Sequence, residues 1–186
     1  SANLKDDKNV VLAAVKQDVQ AFAHASKRLR EDRDLVLTAV NKNGRLLEYA
    51  SANLKDDKNV VLAAVKQDGW ALKFASANLK DDKNVVLAAV NQDSSALQFA
   101  SANLKDNRDF LLDVVQKYPF CFHYASTNLK GDKFLALNAV KEEYATFSSI
   151  SKELQRDKEL AIPFVAQSGL ELSFLDQELR KDKIGR

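Results

Sequence analysis

Methionine is absent from this chain, cysteine and tryptophan occur once each, proline twice, and glycine supplies only five of 186 residues. Each scarcity closes off a class of protein. A single cysteine, Cys121, cannot form an internal disulfide, so nothing here depends on an oxidising compartment and an intracellular setting is the default expectation. Five glycines provide no glycine-rich phosphate-binding loop. No apolar run approaches the roughly 18 residues of a membrane-spanning helix, and no charged-then-apolar leader is present. With 28 basic against 26 acidic residues the net charge is +2, too small to steer polyanions by long-range attraction. The lack of methionine, with a start in mid-repeat at Ser1, implies a fragment of a longer array with room for a leader upstream.

What the chain has in abundance is repetition. The stretch SANLKDDKNVVLAAV occurs unchanged at Ser1 to Val15, Ser51 to Val65 and Ser76 to Val90, and edited copies continue at a period of 25 residues without insertion or deletion. Units begin at residues 1, 26, 51, 76, 101, 126 and 151, with a partial one at 176. A fixed period overrides length as a guide to domain count, because a repeat array has no single core. The expected organisation is one continuous array over residues 1–186. Every copy solves the same packing problem, so a residue type held in one column reports a fixed environment. Three columns are predicted to be core: Leu4 through Leu179 at every copy, Val15 through Val165, and Leu12, Leu37, Leu62, Leu87, Leu112, Leu137 and Ile162.

The column Asp7, Asp32, Asp57, Asp82, Asn107, Asp132, Asp157 and Asp182 admits only Asp or Asn before a segment rich in helix formers, which is the requirement of an N-cap. A first helix is therefore predicted over Lys8 to Gln17, with Val10, Val11, Ala14 and Val15 on one face. It ends at short corners such as Asp68-Gly69, where glycine is expected to supply a left-handed cap and Asp, Asn or Ser to cap the next helix. A second helix is predicted to run from there to about Leu29, with Phe22, Ala25 and Leu29 on one face and the serine of each Ala-Ser pair bonding back to its own helix backbone. Ordering 25 residues costs on the order of 40 kcal/mol at about 1.5 per residue, and one hairpin has nothing to cover its apolar face, so neighbours must supply the missing surface. The expected fold is all-α: an α-solenoid of short antiparallel helical hairpins, seven full repeats and a partial one. Pro163, in the middle of a first helix, is expected to kink or shorten it, as part of a C-terminal drift toward a cap.

The run Leu-Lys-x-Asp-Lys-x-Val-Val-Leu-Ala-Ala-Val-Lys-Gln-Asp-Gly-x-Ala-Leu-x-Phe-Ala-Ser, read from Leu54 through Ser76, resembles a family of tandem helical repeats catalogued as a domain of unknown function. That family occurs in multi-copy arrays in large viruses, protists and some intracellular bacteria. The resemblance implies a helical interaction array, placed within a secreted effector of an intracellular bacterium, and it brings no catalytic residues. An effector would act in the host cytoplasm.

Function in a solenoid belongs to solvated columns that vary, since the fixed ones are occupied with folding. One such column reads Gln20, Arg45, Trp70, Ser95, Phe120, Ala145 and Leu170, and beside it lie Lys73 and His123. Trp70, Phe120 and Leu170 could line a groove for a partner's apolar side chains with Arg45, Lys73 and His123 as polar contacts, or each could simply pack over the adjoining hairpin. A cation ladder at Lys8, Arg33, Lys58, Lys83, Arg108, Lys133, Lys158 and Lys183 invites a phosphate-binding reading, but an Asp or Asn before every cation cancels most of the field and favours a solvated edge weakly paired to carboxylates. No catalytic residue, metal site, cofactor or small-molecule substrate is expected: His24 and His123 lack Cys or carboxylate partners at ligand spacing, and Cys121 falls in a buried column. The preferred reading is a non-enzymatic protein-binding scaffold, with a structural spacer or self-associating array as the alternative and nucleic acid disfavoured.

Overall fold

The computed structural model describes residues 4–168, whose regular structure is entirely helical. The chain divides into two compact units, Ser1–Ser101 and Ala102–Arg186. Each is built by stacking copies of one motif, seen plainly in the third copy: a one-turn helix Ala52–Lys55, a ten-residue α-helix Lys58–Gln67, and a six-residue 3₁₀ helix Gly69–Phe74. This is the solenoid packing that the period implies, with a modified second arm.

The long helix starts where its cap dictates. Asp57 Oδ1 accepts from the backbone N–H groups of Asn59 at 2.8 Å and Val60 at 3.1 Å, satisfying two donors that have no intrahelical partner. Val60, Val61, Ala64 and Val65 are all fully buried, the face expected from their spacing, and they pack against the corresponding helix Lys83–Gln92 of the next copy. In the second unit Phe110, Leu111, Val114 and Val115 occupy the same positions on Arg108–Lys117.

The leucine column at 12, 37, 62, 87, 112 and 137 is not core. It is half-buried in most copies, and Leu87 and Ile162 are 38% and 53% exposed. The physical reason is angular. Residues at i, i+1, i+4 and i+5 already fill the buried arc of the long helix, and the residue at i+2 is turned to its shoulder. The buried places belong instead to the column of Leu46, Ala71, Ala96, Cys121 and Thr146, each at most 2% exposed. The Thr146 hydroxyl is satisfied by donating to the Glu143 carbonyl at 2.7 Å. The first leucine column is core from Leu29 to Leu129, whereas Leu154 is half-buried and Leu4, with no described copy before it, is 54% exposed; Leu179 lies outside the described residues.

The corner also differs from expectation. Asp68 alone makes it, in extended conformation at φ −148° and ψ 112°. Its N–H closes the long helix on Ala64 O at 3.0 Å, while its Oδ1 opens the 3₁₀ helix by accepting from Trp70 N–H at 2.9 Å. No left-handed residue is needed. Gly69 is required by proximity: a Cβ there would lie 2.5 Å from Ala89 O of the next copy, and one on Gly44 would lie 2.2 Å from Ala64 O. Pro119 stands at the first position of its 3₁₀ helix, where no N–H is wanted, and Tyr118 before it makes no side-chain cap.

Nor does a second α-helix run unbroken to Leu29. The 3₁₀ segment Val19–His24 stops at Ala25, and a separate turn Leu29–Glu31 follows. The break is fixed by hydrogen bonds between copies. Extended alanines such as Ala75, at φ −65° and ψ 159°, turn the next N–H outward. Ser76 N–H then donates to Lys55 O of the preceding copy at 2.9 Å, and Ser126 N–H does the same to Lys105 O at 2.9 Å in the second unit. The serine hydroxyl does not bond back along its own helix. Ser76 Oγ caps the following turn by accepting from Leu79 N–H at 3.2 Å and donates to Asp56 of the copy before. Finally, Pro163 does not shorten its helix, which runs over Lys158–Ser168; at the sixth position, proline forfeits only one hydrogen bond.

Candidate functional site

A 3₁₀ helix has three residues per turn, so side chains at i and i+3 eclipse and the segment has three edges. In Gly69–Phe74 one edge holds Gly69 and Leu72, both buried, a second holds Ala71 and Phe74, and the third holds Trp70 and Lys73, both exposed. Arg45 and Glu48 form the same exposed edge in Gly44–Tyr49, as do Phe120 and His123 in Pro119–Tyr124. The pairing of two variable columns is thus a consequence of period three.

In the first unit the structure brings Arg45 and Trp70 together. The Arg45 guanidinium lies 5.6 Å from the centroid of the Trp70 ring, and its Nε donates to Asp68 Oδ2 at 2.6 Å. Trp70 is 36% exposed. Its indole Nε1–H donates to Asp93 Oδ2 at 2.9 Å and Ser95 Oγ at 3.0 Å, and its ring meets Phe99 edge-on at 5.3 Å. The nitrogen edge therefore packs onto the next copy while the remainder faces solvent, so both readings of this column describe part of one side chain. The Ser95 hydroxyl, first, and then Ser95 N–H, Trp70 Nε1–H and the Arg45 charge hold the Asp93 carboxyl below the ordinary carboxylate range against its desolvation. The exposed Lys73 ammonium sits 5.9 Å from the Phe74 ring centroid.

In the second unit Phe120 is 45% exposed and stacks on His123, with centroids 5.3 Å apart and planes 11° from parallel. Tyr124 meets the same ring edge-on at 5.9 Å. His123 Nδ1 hydrogen-bonds the Ser149 hydroxyl of the following copy. Leu170, the remaining candidate of this column, lies outside the described residues.

The cation ladder is engaged across seams. Lys8 pairs with Asp32 at 2.6 Å, Arg33 with Asp57 at 2.9 Å and Lys58 with Asp82 at 2.6 Å in the first unit. In the second, Arg108 pairs with Asp132 at 2.5 Å, and Lys133 reaches both Asp157 at 2.7 Å and Glu159 at 2.8 Å. Each aspartate acceptor stands immediately before the next long helix and accepts from its first N–H groups, while Glu159 lies in the first turn of that helix. The cation's hydrogen bond is the largest influence holding Asp32, Asp57, Asp82, Asp132 and Asp157 below the usual carboxylate range, with helix N–H groups acting the same way. The sequence pattern pointed to weak pairing of these cations with carboxylates but not to the N-caps of the next copy as the partners; a constant offset of 24 residues between cation and following Asp was the available signal.

Among the described residues no three His, Cys, Asp or Glu side chains stand together to hold a metal, and no helix is long and apolar enough to cross a membrane. Cys121, the single cysteine, is fully buried. The family described as "Domain of unknown function (DUF4116)" matches residues 1–30, 32–80, 57–105, 82–130 and 107–155, the last four overlapping in succession. The chain belongs to this family. No curated protein and no solved structure matches it. Membership accounts for the period and for the retained Asp-Lys and Ala-Ser columns, and leaves the exposed edge of the 3₁₀ helices as the part that differs from copy to copy.

Proposed function

We propose that the chain is a non-enzymatic protein-interaction scaffold that holds a partner protein on the exposed edge of its 3₁₀ helices. The observation that carries this reading is the exposure of Trp70 and Phe120, two large aromatic side chains left 36% and 45% open in columns where packing does not require them. Arg45, Lys73 and His123 supply charge or hydrogen bonding beside them, the mixture of anchor and rim found at hot spots. A role within an effector acting inside a host cell is part of the same proposal and rests on the family resemblance alone. Phosphate binding along the cation ladder is disfavoured by the aspartates that already occupy Lys8, Arg33, Lys58, Arg108 and Lys133.

A second reading, a structural spacer whose variable edge carries no ligand, is favoured by one feature: the Trp70 N–H is already satisfied by Asp93 and Ser95 of the next copy. Affinity capture with the array and with Trp70→Ala/Phe120→Ala separates the two. Scaffold function requires a partner whose recovery falls about tenfold or more in the double variant at unchanged helicity. Lys73→Glu, which alters only the exposed edge, gives the same comparison if the double variant loses stability. Equal recovery from wild type and both variants refutes the scaffold.

A further inference from the structure

At four seams the same two side chains meet. Ser26, Ser76, Ser101 and Ser126 each donate a hydroxyl hydrogen bond to the aspartate twenty positions earlier, Asp6, Asp56, Asp81 and Asp106. At the seam between the second and third copies that position is Glu31, and the bond is missing. Ser51 Oγ is the one buried side-chain polar atom without a hydrogen-bond partner among the described residues. Unlike Ser76 Oγ it does not cap the turn that follows it either. A cleft of about 360 Å³ lies at this place, walled by Lys27, Arg30, Glu31, Tyr49, Ser51 and Asn53. An orphaned buried hydroxyl is costly, and natural structures normally give one a partner.

The first seam shows which group the geometry accommodates. There Ser26 and Arg28 hold the Asp6 carboxylate between them, with Arg28 Nε 3.0 Å from Oδ1. Asn53 stands in the column of Arg28 and lines the cleft with Ser51, so an amide donor lies beside the hydroxyl that lacks an acceptor. Lys27 and Arg30 add two positive charges against the one negative charge of Glu31. The Arg30 Nε is committed to Ala25 O at 2.9 Å, which fixes the guanidinium beside the cleft.

We infer that this cleft binds a small carboxylate-bearing ligand, whose carboxylate occupies the place that Asp6, Asp56, Asp81 and Asp106 fill at their four seams. The ligand accepts from Ser51 Oγ–H and the Asn53 amide, with Lys27 and Arg30 as counter-charges and Tyr49 as an apolar wall. Glu31 is exposed, and its side chain moves aside to admit the ligand to the buried hydroxyl. A carboxylate suits the site better than a phosphate, because Glu31 opposes a second negative charge and only one hydroxyl donor is provided. The cleft shares no residue with the exposed edge of Arg45, Trp70 and Lys73, so this inference stands apart from the scaffold reading.

Backbone amide NMR of the whole chain tests it, with sodium succinate, an end-blocked Ala-Asp-Ala peptide, sodium phosphate and sodium chloride as separate titrants. Saturable shifts confined to the amides around Ser51 to Asn53 are expected, with a Kd on the order of 1 mM for succinate, the peptide or both. Succinate alone identifies a free small acid as the source and the peptide alone an acidic side chain. Ser51→Ala should weaken binding about tenfold or more. Glu31→Asp, which recreates the side chain found at four of the other seams, should abolish it and leave the protein at least as stable. Absence of saturable shifts with both carboxylates, an equal response to phosphate or chloride, or undiminished affinity in Ser51→Ala overturns the inference.

Discussion

Replacing Asp57 separates the two roles of the residue that recurs at the start of every long helix. In Asp57→Ala the N–H groups of Asn59 and Val60 lose their acceptor, and Arg33 loses its partner at 2.9 Å. Loss of an N-cap costs about 1 kcal/mol. The ion pair adds roughly 0.5 kcal/mol, since the Arg33 and Asp57 side chains are 45% and 25% exposed and such pairs contribute little in water. The sum is about 1.5 kcal/mol. Asp57→Asn keeps a competent cap and should cost only the smaller part, about 0.5 kcal/mol; Asn107 already serves this way, accepting from Phe110 N–H at 3.0 Å. Urea unfolding followed by circular dichroism at neutral pH gives both values from the midpoints at a constant slope. The sign with pH follows from linkage. Arg33 and the helix N–H groups depress the folded carboxyl of Asp57 below its unfolded value of about 3.9, so its contribution is complete above that pH and is lost as pH falls through the lower folded value. The gap between wild type and Asp57→Asn should therefore close in that acid window. A loss below about 0.5 kcal/mol in Asp57→Ala, or equal losses in the alanine and asparagine variants, refutes the division of labour.

Two other substitutions bear on the corrected packing. Leu87→Ala, at a side chain 38% exposed, should cost less than about 1 kcal/mol, while Leu97→Ala at a fully buried one should cost about 2–5 kcal/mol; similar losses in thermal or urea unfolding would contradict the assignment of the columns. Gly69→Ala places a Cβ 2.5 Å from Ala89 O and should destabilise by about 1–3 kcal/mol through overpacking, read in the same assay; a neutral result would mean that the next copy shifts freely to admit it.

The long helices were legible because an N-cap and a buried arc are both local and both repeated: Asp57 with Val60, Val61, Ala64 and Val65 states them within nine residues. The second arm was misread because apolar residues spaced three apart, such as Phe22 and Ala25, suit a 3₁₀ turn as well as an α-helix, and the deciding hydrogen bond, Ser26 N–H to Lys5 O at 2.8 Å, comes from another copy. For the same reason Gly69 looked like a matter of dihedral freedom when it is one of distance to Ala89 O. Arg45, Trp70, Lys73, Phe120 and His123 all face solvent, as expected of variable columns, but the seam contacts that tether Trp70 and His123 had no expression in a single 25-residue unit. The partnerless Ser51 became visible only when the acceptor of each sister serine had been located.

The corner at Asp68 carries a consequence for how such chains change over generations. One residue ends the long helix through its N–H and begins the 3₁₀ helix through its carboxylate. An added or deleted residue there has no slack to enter: it would strip one helix of its terminus or the other of its start, and would move every later seam bond out of register. Small length changes are therefore selected against, while duplication of an entire copy preserves every bond. Arrays of this kind should lengthen and shorten by whole units of genetic text, as the verbatim copies beginning at Ser51 and Ser76 record.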